Sequence, residues 1–238
     1  MVILSVVATV LFLASTLFFS VLSAIAAVVD RSGKFYLWVG RTWSQSGLLF
    51  YGIRLKVIGT EHIRKGRNYV YAANHASYMD IPVLLAGIPD NLRLTLRSSL
   101  TRIPIWGWAL LIGPFLVLDR SNPKKAANTV RIAVERIKAG ASVLFFPEGT
   151  RTPNGTMQAF KRGAFHLAVD AGAPVIPVAI TGTYQILPRH KWLPRWGGHV
   201  TMRIGEAIEI RPIPAEQSRA EEIRVMMETE EWVRGMLS

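Results

Sequence analysis

Residues 142–152 read SVLFFPEGTRT, an apolar run that stops abruptly at an acid, a glycine, two hydroxyls and an arginine. A short apolar run bounded by turn residues is the pattern of a buried strand, and open α/β sheets carry their sites where such strands end. Residues 69–80, YVYAANHASYMD, repeat the arrangement: an apolar strand feeding a cluster of Asn, His, Ser and Asp. Working outward, the same alternation predicts strands over 55–58, 69–73, 92–96, 115–118, 142–146, 175–180 and 200–204. Helices are predicted over 78–86, 105–112, 123–138, 160–171 and 215–236, with Asn122-Pro123 opening the third, Gly140 closing it and Gly172 closing the fourth. The fold class is therefore α/β, a layered sheet flanked by helices.

Before residue 53 the sequence changes character. Met1 to Val29 contains no charged side chain. As a helix it would run ~43 Å at ~1.5 Å per residue, against a hydrocarbon thickness of ~30 Å. It is expected to span a bilayer or to lie in one. The start MVILSV lacks the basic region of a secretory signal, although Ala24, Ala26 and Ala27 form a loose cleavage pattern. Arg31, Lys34 and Arg41 follow, and basic residues flanking a span stay cytoplasmic, so the rest of the chain is expected at the cytoplasmic face of a membrane. Residues 30–52 then carry Phe35, Tyr36, Trp38, Trp43 and Phe50. They form either an interfacial aromatic helix or an amphipathic helix packed on its own domain. Three units result: 1–29 membrane helix, 30–52 aromatic helix, 53–238 catalytic domain.

Composition narrows the chemistry. With 28 Lys+Arg against 16 Asp+Glu in 238 residues, the net charge of +12 suits an anionic membrane, a phosphorylated substrate or a nucleic acid. No helix-turn-helix, RNP or zinc pattern supports the last, so no nucleic-acid partner is expected. Zero Cys excludes a disulfide scaffold, a thiol nucleophile and a thiolate-held metal. His62, His166, His190 and His199 share no spacing, and no metal site is expected. The basic face Lys124, Lys125, Arg131, Arg136 and Lys138 reads as a solvated helix face, or as one that docks anionic headgroups or an acidic carrier.

Within the first cluster, His75 suits general-base work near neutral pH, and Asp80 can fix its tautomer. Inside one helix the two would point ~140° apart. If Ser77 caps the helix, His75 sits in the preceding loop and folds back onto Asp80. Alternatively Ser77 and Asp80 form only a capping box. In the second cluster Glu148, Gly149, Thr150 and Arg151 offer an oriented carboxylate, a close-approach backbone and a guanidinium fork suited to phosphate. No G-x-S-x-G elbow occurs in the chain.

Taken together, the Asn74-His75-x4-Asp80 and Phe146-Pro-Glu-Gly-Thr-Arg151 blocks closely resemble those of the glycerolipid acyltransferase family, in particular its PlsC-type lysophosphatidate acyltransferases. Val175-Ile-Pro-Val-Ala179 is similar to the family's fourth block. The second block is matched at Arg120, although Gly113 lies one residue too far upstream. A family Lys-x-Glu-Leu segment here reads Arg97-Ser-Ser-Leu100, keeping the charge and losing the acid. The resemblance covers about 68–183. It implies a mixed, largely buried sheet flanked by helices and a membrane-bound transfer of an acyl group from acyl-CoA or acyl carrier protein to the free hydroxyl of 1-acyl-glycerol-3-phosphate. Another lysolipid, such as lyso-ornithine lipid, is the alternative acceptor. It implies no cofactor and no metal, the acyl thioester being a co-substrate, and an anionic phospholipid surface as partner. His75 and Asp80 are the implied catalytic pair. Asn74, Arg97, Arg120, Glu148, Gly149, Thr150 and Arg151 are the implied substrate-binding set, with Glu148 and Gly149 orienting the glycerol.

Overall fold

The computed structural model describes residues 1–118 and 123–238. Its elements in chain order are α1 (Val2–Val29), α2 (Lys34–Phe50), β1 (Ile53–Ile58), β2 (Val70–Ala73), α3 (Asp80–Gly87), β3 (Leu92–Arg97), α4 (Trp106–Ile112), β4 (Leu116–Leu118), α5 (Pro123–Lys138), β5 (Ser142–Phe145), α6 (Gly163–Ala171), β6 (Val175–Thr181), α7 (Thr183–Ile186), β7 (Gly198–Ile204) and α8 (Ser218–Leu237).

The seven strands form one sheet in the order β1-β7-β6-β2-β5-β3-β4. The five from β6 to β4 are parallel to one another, and β7 joins antiparallel to β6 with β1 parallel to it. The sheet is mixed, as the family resemblance implies. Parallel strands are covered on both faces, so their side chains are apolar in both directions. Tyr69, Tyr71 and Ala73 of the β2 segment enter one core with Leu144, Ile176 and Val178, while Val70 and Ala72 enter the other with Val143, Val175 and Phe165. Helices α2 and α3 cover the first face, and α5, α6 and α8 the second.

Each strand predicted from sequence is present, with ends shifted by two residues or fewer. Four helices begin later than expected: α4 by one residue, α3 by two, and α6 and α8 by three, residues 215–217 forming a separate 3₁₀ turn ahead of α8. The α6 pattern starts at Phe160, but the Phe160 amide donates to Glu230 Oε2 (3.0 Å) and that of Lys161 to the Pro147 carbonyl (2.9 Å), so the helix opens at Gly163. Helix α3 opens at Asp80, because residues 77–81 close as tighter turns, the Asp80 amide donating to the Ser77 carbonyl (3.3 Å) and the Ile81 amide to the Tyr78 carbonyl (3.4 Å). The cap expected at Asn122 lies outside the described residues.

Among the described residues, α1 is the one helix long and apolar enough to cross a membrane. It does not stand free. Ser5, Ala8, Ser20, Ser23 and Ala26 are buried along one side, and the opposite side exposes large apolar residues from Val2 to Val29. The seam runs against α2. Phe12 stacks on Trp43 at 5.2 Å and meets Tyr51 edge-on at 5.8 Å; Trp43 Nε1 donates to Thr16 Oγ1 (2.9 Å), and Thr9 and Tyr51 share a hydrogen bond of 3.0 Å. Aromatic pairs of this kind add ~0.5–1.5 kcal/mol each beyond the area they bury.

The aromatic stretch therefore divides. Tyr36 and Trp43 pack within the protein, Tyr36 donating to the Ala109 carbonyl at 2.7 Å, whereas Trp38 faces outward. Burial raises the Tyr36 hydroxyl to about 12, which keeps it neutral and a donor. Arg41, read from sequence as a membrane-flanking charge, instead donates to the carbonyls of Ile88 (2.8 Å) and Asp90 and ties α2 to the loop before β3.

A methyl group at Gly47 would fall 2.5 Å from the Phe12 ring, whereas Gly40 on the same helix has nothing within 4 Å. Phe12 is wedged between Trp43 and Tyr51 and has little room to yield. Gly47→Ala is therefore expected to lower stability by ~1–3 kcal/mol through overpacking. Gly40→Ala should gain up to ~1 kcal/mol from helix propensity. Thermal unfolding of the two variants in one detergent reads the opposite signs.

Candidate active site

Strands β2 and β5 are neighbours and parallel, so the loops that follow them leave the same end of the sheet side by side. Residues 74–79 follow β2 and residues 146–152 follow β5. The sheet thus places two segments about seventy positions apart in sequence against one another.

Asp80 is the first residue of α3 and is fully buried. Its Oδ2 accepts hydrogen bonds from His75 Nδ1, the Ala76 amide and the Ser77 amide, each at 2.8 Å. Three N–H donors converge on this one oxygen at a helix N-terminus, where the backbone dipoles favour negative charge. An ionised carboxylate only accepts, so Nδ1 carries the proton and Nε2 presents a lone pair. Phe146 holds the ring from the side, its centroid 3.8 Å from that of His75 with 17° between the planes. Ser77 departs from its expected role as helix cap: its hydroxyl donates to the Leu187 carbonyl (2.8 Å) and accepts from the Met79 amide (3.0 Å). The capping carboxylate and the partner of His75 are one and the same group.

The backbone of His75 is fixed at both ends. Its amide donates to Glu148 Oε1 (2.6 Å) and its carbonyl accepts from the Thr152 amide (2.9 Å). The other Glu148 oxygen accepts from the Gln158 amide at 2.8 Å. Glu148 is buried, and that burial raises its carboxyl above the ordinary range while the two backbone amides pull it back down. Its carboxylate thus faces the protein backbone. Both oxygens bond backbone, and Glu148 is not in the pocket lining, whereas the resemblance implies that it orients the glycerol. Asn74 likewise bonds backbone here. Its amide accepts from the Ile180 N–H (2.7 Å) and donates to the Ile180 carbonyl (3.0 Å), joining the ends of β2 and β6 rather than reaching a ligand.

Beside the His75 ring lies an open pocket of about 380 Å³ whose lining includes Tyr78, Arg97, Ser99, Phe146, Gly149, Thr150, Arg151 and Arg189. Among the described residues, three arginines enter this lining and no Asp or Glu does. The Arg151 guanidinium lies 3.5 Å from the centroid of the Tyr78 ring, and its buried Nη1 has no hydrogen-bond partner among the described residues. Burial lowers the Arg151 pKa, yet a guanidinium stays charged throughout the physiological range. Arg97 reaches the lining from the end of β3. Gly149 takes φ +80°, a left-handed turn that glycine adopts without strain. Arg120 lies outside the described residues.

Three members of the site were not singled out in the sequence. Phe146 reads as the last residue of a strand, and Tyr78 as the first turn of a helix. Arg189 follows α7 with no motif around it, and its Nη1 donates to the Arg151 carbonyl at 3.0 Å.

Residues 54–181 match the family model described as Acyltransferase. The chain belongs to the acyltransferase family. Among its relatives in the acyltransferase family, the 1-acyl-sn-glycerol-3-phosphate acyltransferase of Pseudomonas aeruginosa is 36% identical over 182 residues, covering 76% of this chain and 66% of the relative. The enzyme of that name from Saccharomyces cerevisiae is 34% identical over 185 residues, 76% of this chain and 61% of its own. A chloroplast relative from Arabidopsis thaliana is 34% identical over 157 residues, 65% of this chain and 43% of its own, so the chain spans less than half the length of that relative. The crystal structure of the 1-acyl-sn-glycerophosphate acyltransferase PlsC from Thermotoga maritima superposes with a TM-score of 0.78 at 27% identity, covering 97% of this chain and 95% of that one.

The Glu148 geometry separates two roles. Glu148→Gln places an NH2 group opposite one of two backbone N–H groups, leaving buried donors facing each other at a cost of ~1–3 kcal/mol. Turnover should fall because the His75 backbone loosens, with the KM for the acceptor nearly unchanged. A residue that held the glycerol would instead raise that KM. Steady-state kinetics with the acceptor varied distinguishes the two.

Proposed function

We propose that this protein is a membrane-bound 1-acylglycerol-3-phosphate O-acyltransferase, forming phosphatidate from an acyl thioester and a lysophosphatidate. The observation that carries the reading is the pocket itself. One face is a histidine whose Nε2 is left as a base by Asp80, and among the described residues the remaining polar lining holds three arginines and no acid. A dianionic phosphate monoester with a nearby hydroxyl is the substrate such a lining suits.

His75 Nε2 takes the proton from the acceptor hydroxyl as its oxygen attacks the thioester carbonyl, and Asp80 offsets the positive charge that the ring gains. The tetrahedral intermediate collapses, the C–S bond breaks, and the departing thiolate receives the proton. Coenzyme A or acyl carrier protein leaves as the free thiol. Arg151, which lines the pocket and makes no ion pair among the described residues, receives the acceptor phosphate, and Arg97 supplies further positive charge. The acyl chain enters a narrow apolar channel between α1, α2, α4 and β3. That channel shares Ile81, Leu96 and Leu100 with the active-site pocket, so the two spaces meet. Because α1 is packed on the domain from Ser5 to Ala26, the helix lies in one leaflet of the cytoplasmic face with its outer side toward the lipid.

His75→Ala and Asp80→Asn are each expected to lose most acyl transfer. In the serine-protease triad, loss of the orienting Asp costs ~10⁴-fold, which sets the scale for Asp80→Asn. Near-normal turnover by folded His75→Ala protein, assayed with lysophosphatidate and a labelled acyl thioester, would falsify the mechanism.

Arg151→Ala should raise the apparent KM for lysophosphatidate far more than that for the thioester. Arg151→Lys should recover only part of the loss, because it keeps charge but not the two-point fork. If the wild-type protein acylates lyso-ornithine lipid better than lysophosphatidate, or if Arg151→Ala changes the donor KM alone, the phosphate assignment fails.

A further inference from the structure

Trp192 is 94% exposed, the highest value among the large apolar side chains, and it sits at the tip of the loop Pro188-Arg-His-Lys-Trp-Leu-Pro-Arg195 beside the exposed Leu193. This loop is held firmly. The Lys191 amide closes a turn on the Pro188 carbonyl (3.0 Å), and the Arg195 amide returns to the Ile186 carbonyl (2.8 Å). At one end the Leu187 carbonyl accepts from Ser77 in the active-site loop, and Arg189 reaches the Arg151 carbonyl. At the other end the Trp196 amide donates to Ser5 Oγ of α1 (2.9 Å) and its indole to the Phe50 carbonyl (3.1 Å). The loop thus bridges the mouth of the pocket and the amino end of the apolar helix.

Its charge is one-sided. Residues 171–205 contain no Asp or Glu, and Arg189, His190, Lys191 and Arg195 make no ion pair among the described residues. A firmly held turn that presents an indole and a leucine beside Lys191 and Arg195 matches a bilayer interface. There aromatic rings settle at headgroup depth, and Lys and Arg meet anionic phosphates.

We infer that the 188–195 loop docks into an anionic phospholipid surface, with Trp192 inserted and Lys191 and Arg195 on the headgroups. Continuity with the outer face of α1, whose exposed Val2, Ile3 and Val6 flank Ser5, argues for lipid over an acidic protein. Docking sets the pocket mouth at the depth of the acceptor phosphate. The inference rests on the reading of the acceptor as a bilayer lipid.

The chain contains no cysteine, so Trp192→Cys gives a single labelling site at a position whose side chain supports nothing. Full-length protein carrying a fluorophore there is reconstituted into phosphatidylglycerol-containing vesicles doped with headgroup-nitroxide lipid. Strong quenching is expected at 192, with none from a label at Lys138→Cys at the opposite end of the sheet. Equal quenching at both sites, absence of quenching at 192, or quenching there only by a nitroxide-labelled acidic carrier protein overturns the docking. A second arm needs no label. Lys191→Gln with Arg195→Gln should raise the apparent KM for lysophosphatidate in those vesicles roughly thirtyfold and leave it unchanged in detergent micelles. An unchanged KM in vesicles overturns the docking as well. Quenching of the labelled protein at 192, together with no acyl transfer by wild-type protein in micelles or vesicles, overturns the enzymatic reading and leaves the docking standing.

Discussion

The site depends on a single buried oxygen. Asp80 Oδ2 gathers three N–H groups, and two of them belong to the backbone of the loop that carries His75. The carboxylate therefore fixes the loop shape and the histidine tautomer together. An N-terminal helix position gives the negative charge a favourable field, so the cost of burying it is offset locally. Glu148 and Thr152 extend the same principle from the neighbouring strand, gripping the amide and carbonyl of His75 from outside its own loop. The imidazole is placed by its main chain as much as by its side-chain partner.

The sheet makes this possible by adjacency. Side-by-side parallel strands open their loops at one end, and the β2–β5 pairing at Val70–Val143 sets which residues face each other there. Asn74 and Ile180 lock β6 into the same arrangement by exchanging two hydrogen bonds. Loosening any of these strand-end contacts would displace the base relative to the arginines without touching either.

Much of this was legible in the sequence. Strands buried on both faces leave short apolar runs ending in polar clusters, and such runs located every strand and both halves of the site. The five-residue spacing of His75 and Asp80 made sense only if His75 preceded the helix, and that is its position. What sequence did not reveal was direction. A carboxylate or an amide serves backbone or ligand equally well as a letter, so Glu148 and Asn74 read as substrate contacts and their bonds to backbone did not show. Arg41 read as a flanking charge for the same reason. Arg189 carried no signal, because its place in the pocket depends on where α7 and the following loop are held by Ser77 and α1. Helix α6 read three residues too long, since apolar periodicity cannot show that the amides of Phe160 and Lys161 are committed to other segments.

The seam between α1 and α2 has a consequence for what the first helix is. It contributes Thr9, Phe12 and Thr16 to Trp43 and Tyr51 of the second helix and its end, and Ser5 to Trp196, and Gly47 has no room for a side chain because Phe12 fills the space above it. Hydropathy alone describes only the outer half of that helix. A generic leucine-rich anchor of equal length would offer the lipid the same face, yet it would lose the hydroxyls and the ring that seat it on the domain and on the loop beside the pocket. The first helix is thus not interchangeable: grafting it between homologues would require moving its α2 counterpart with it, as one would move both halves of a hinge.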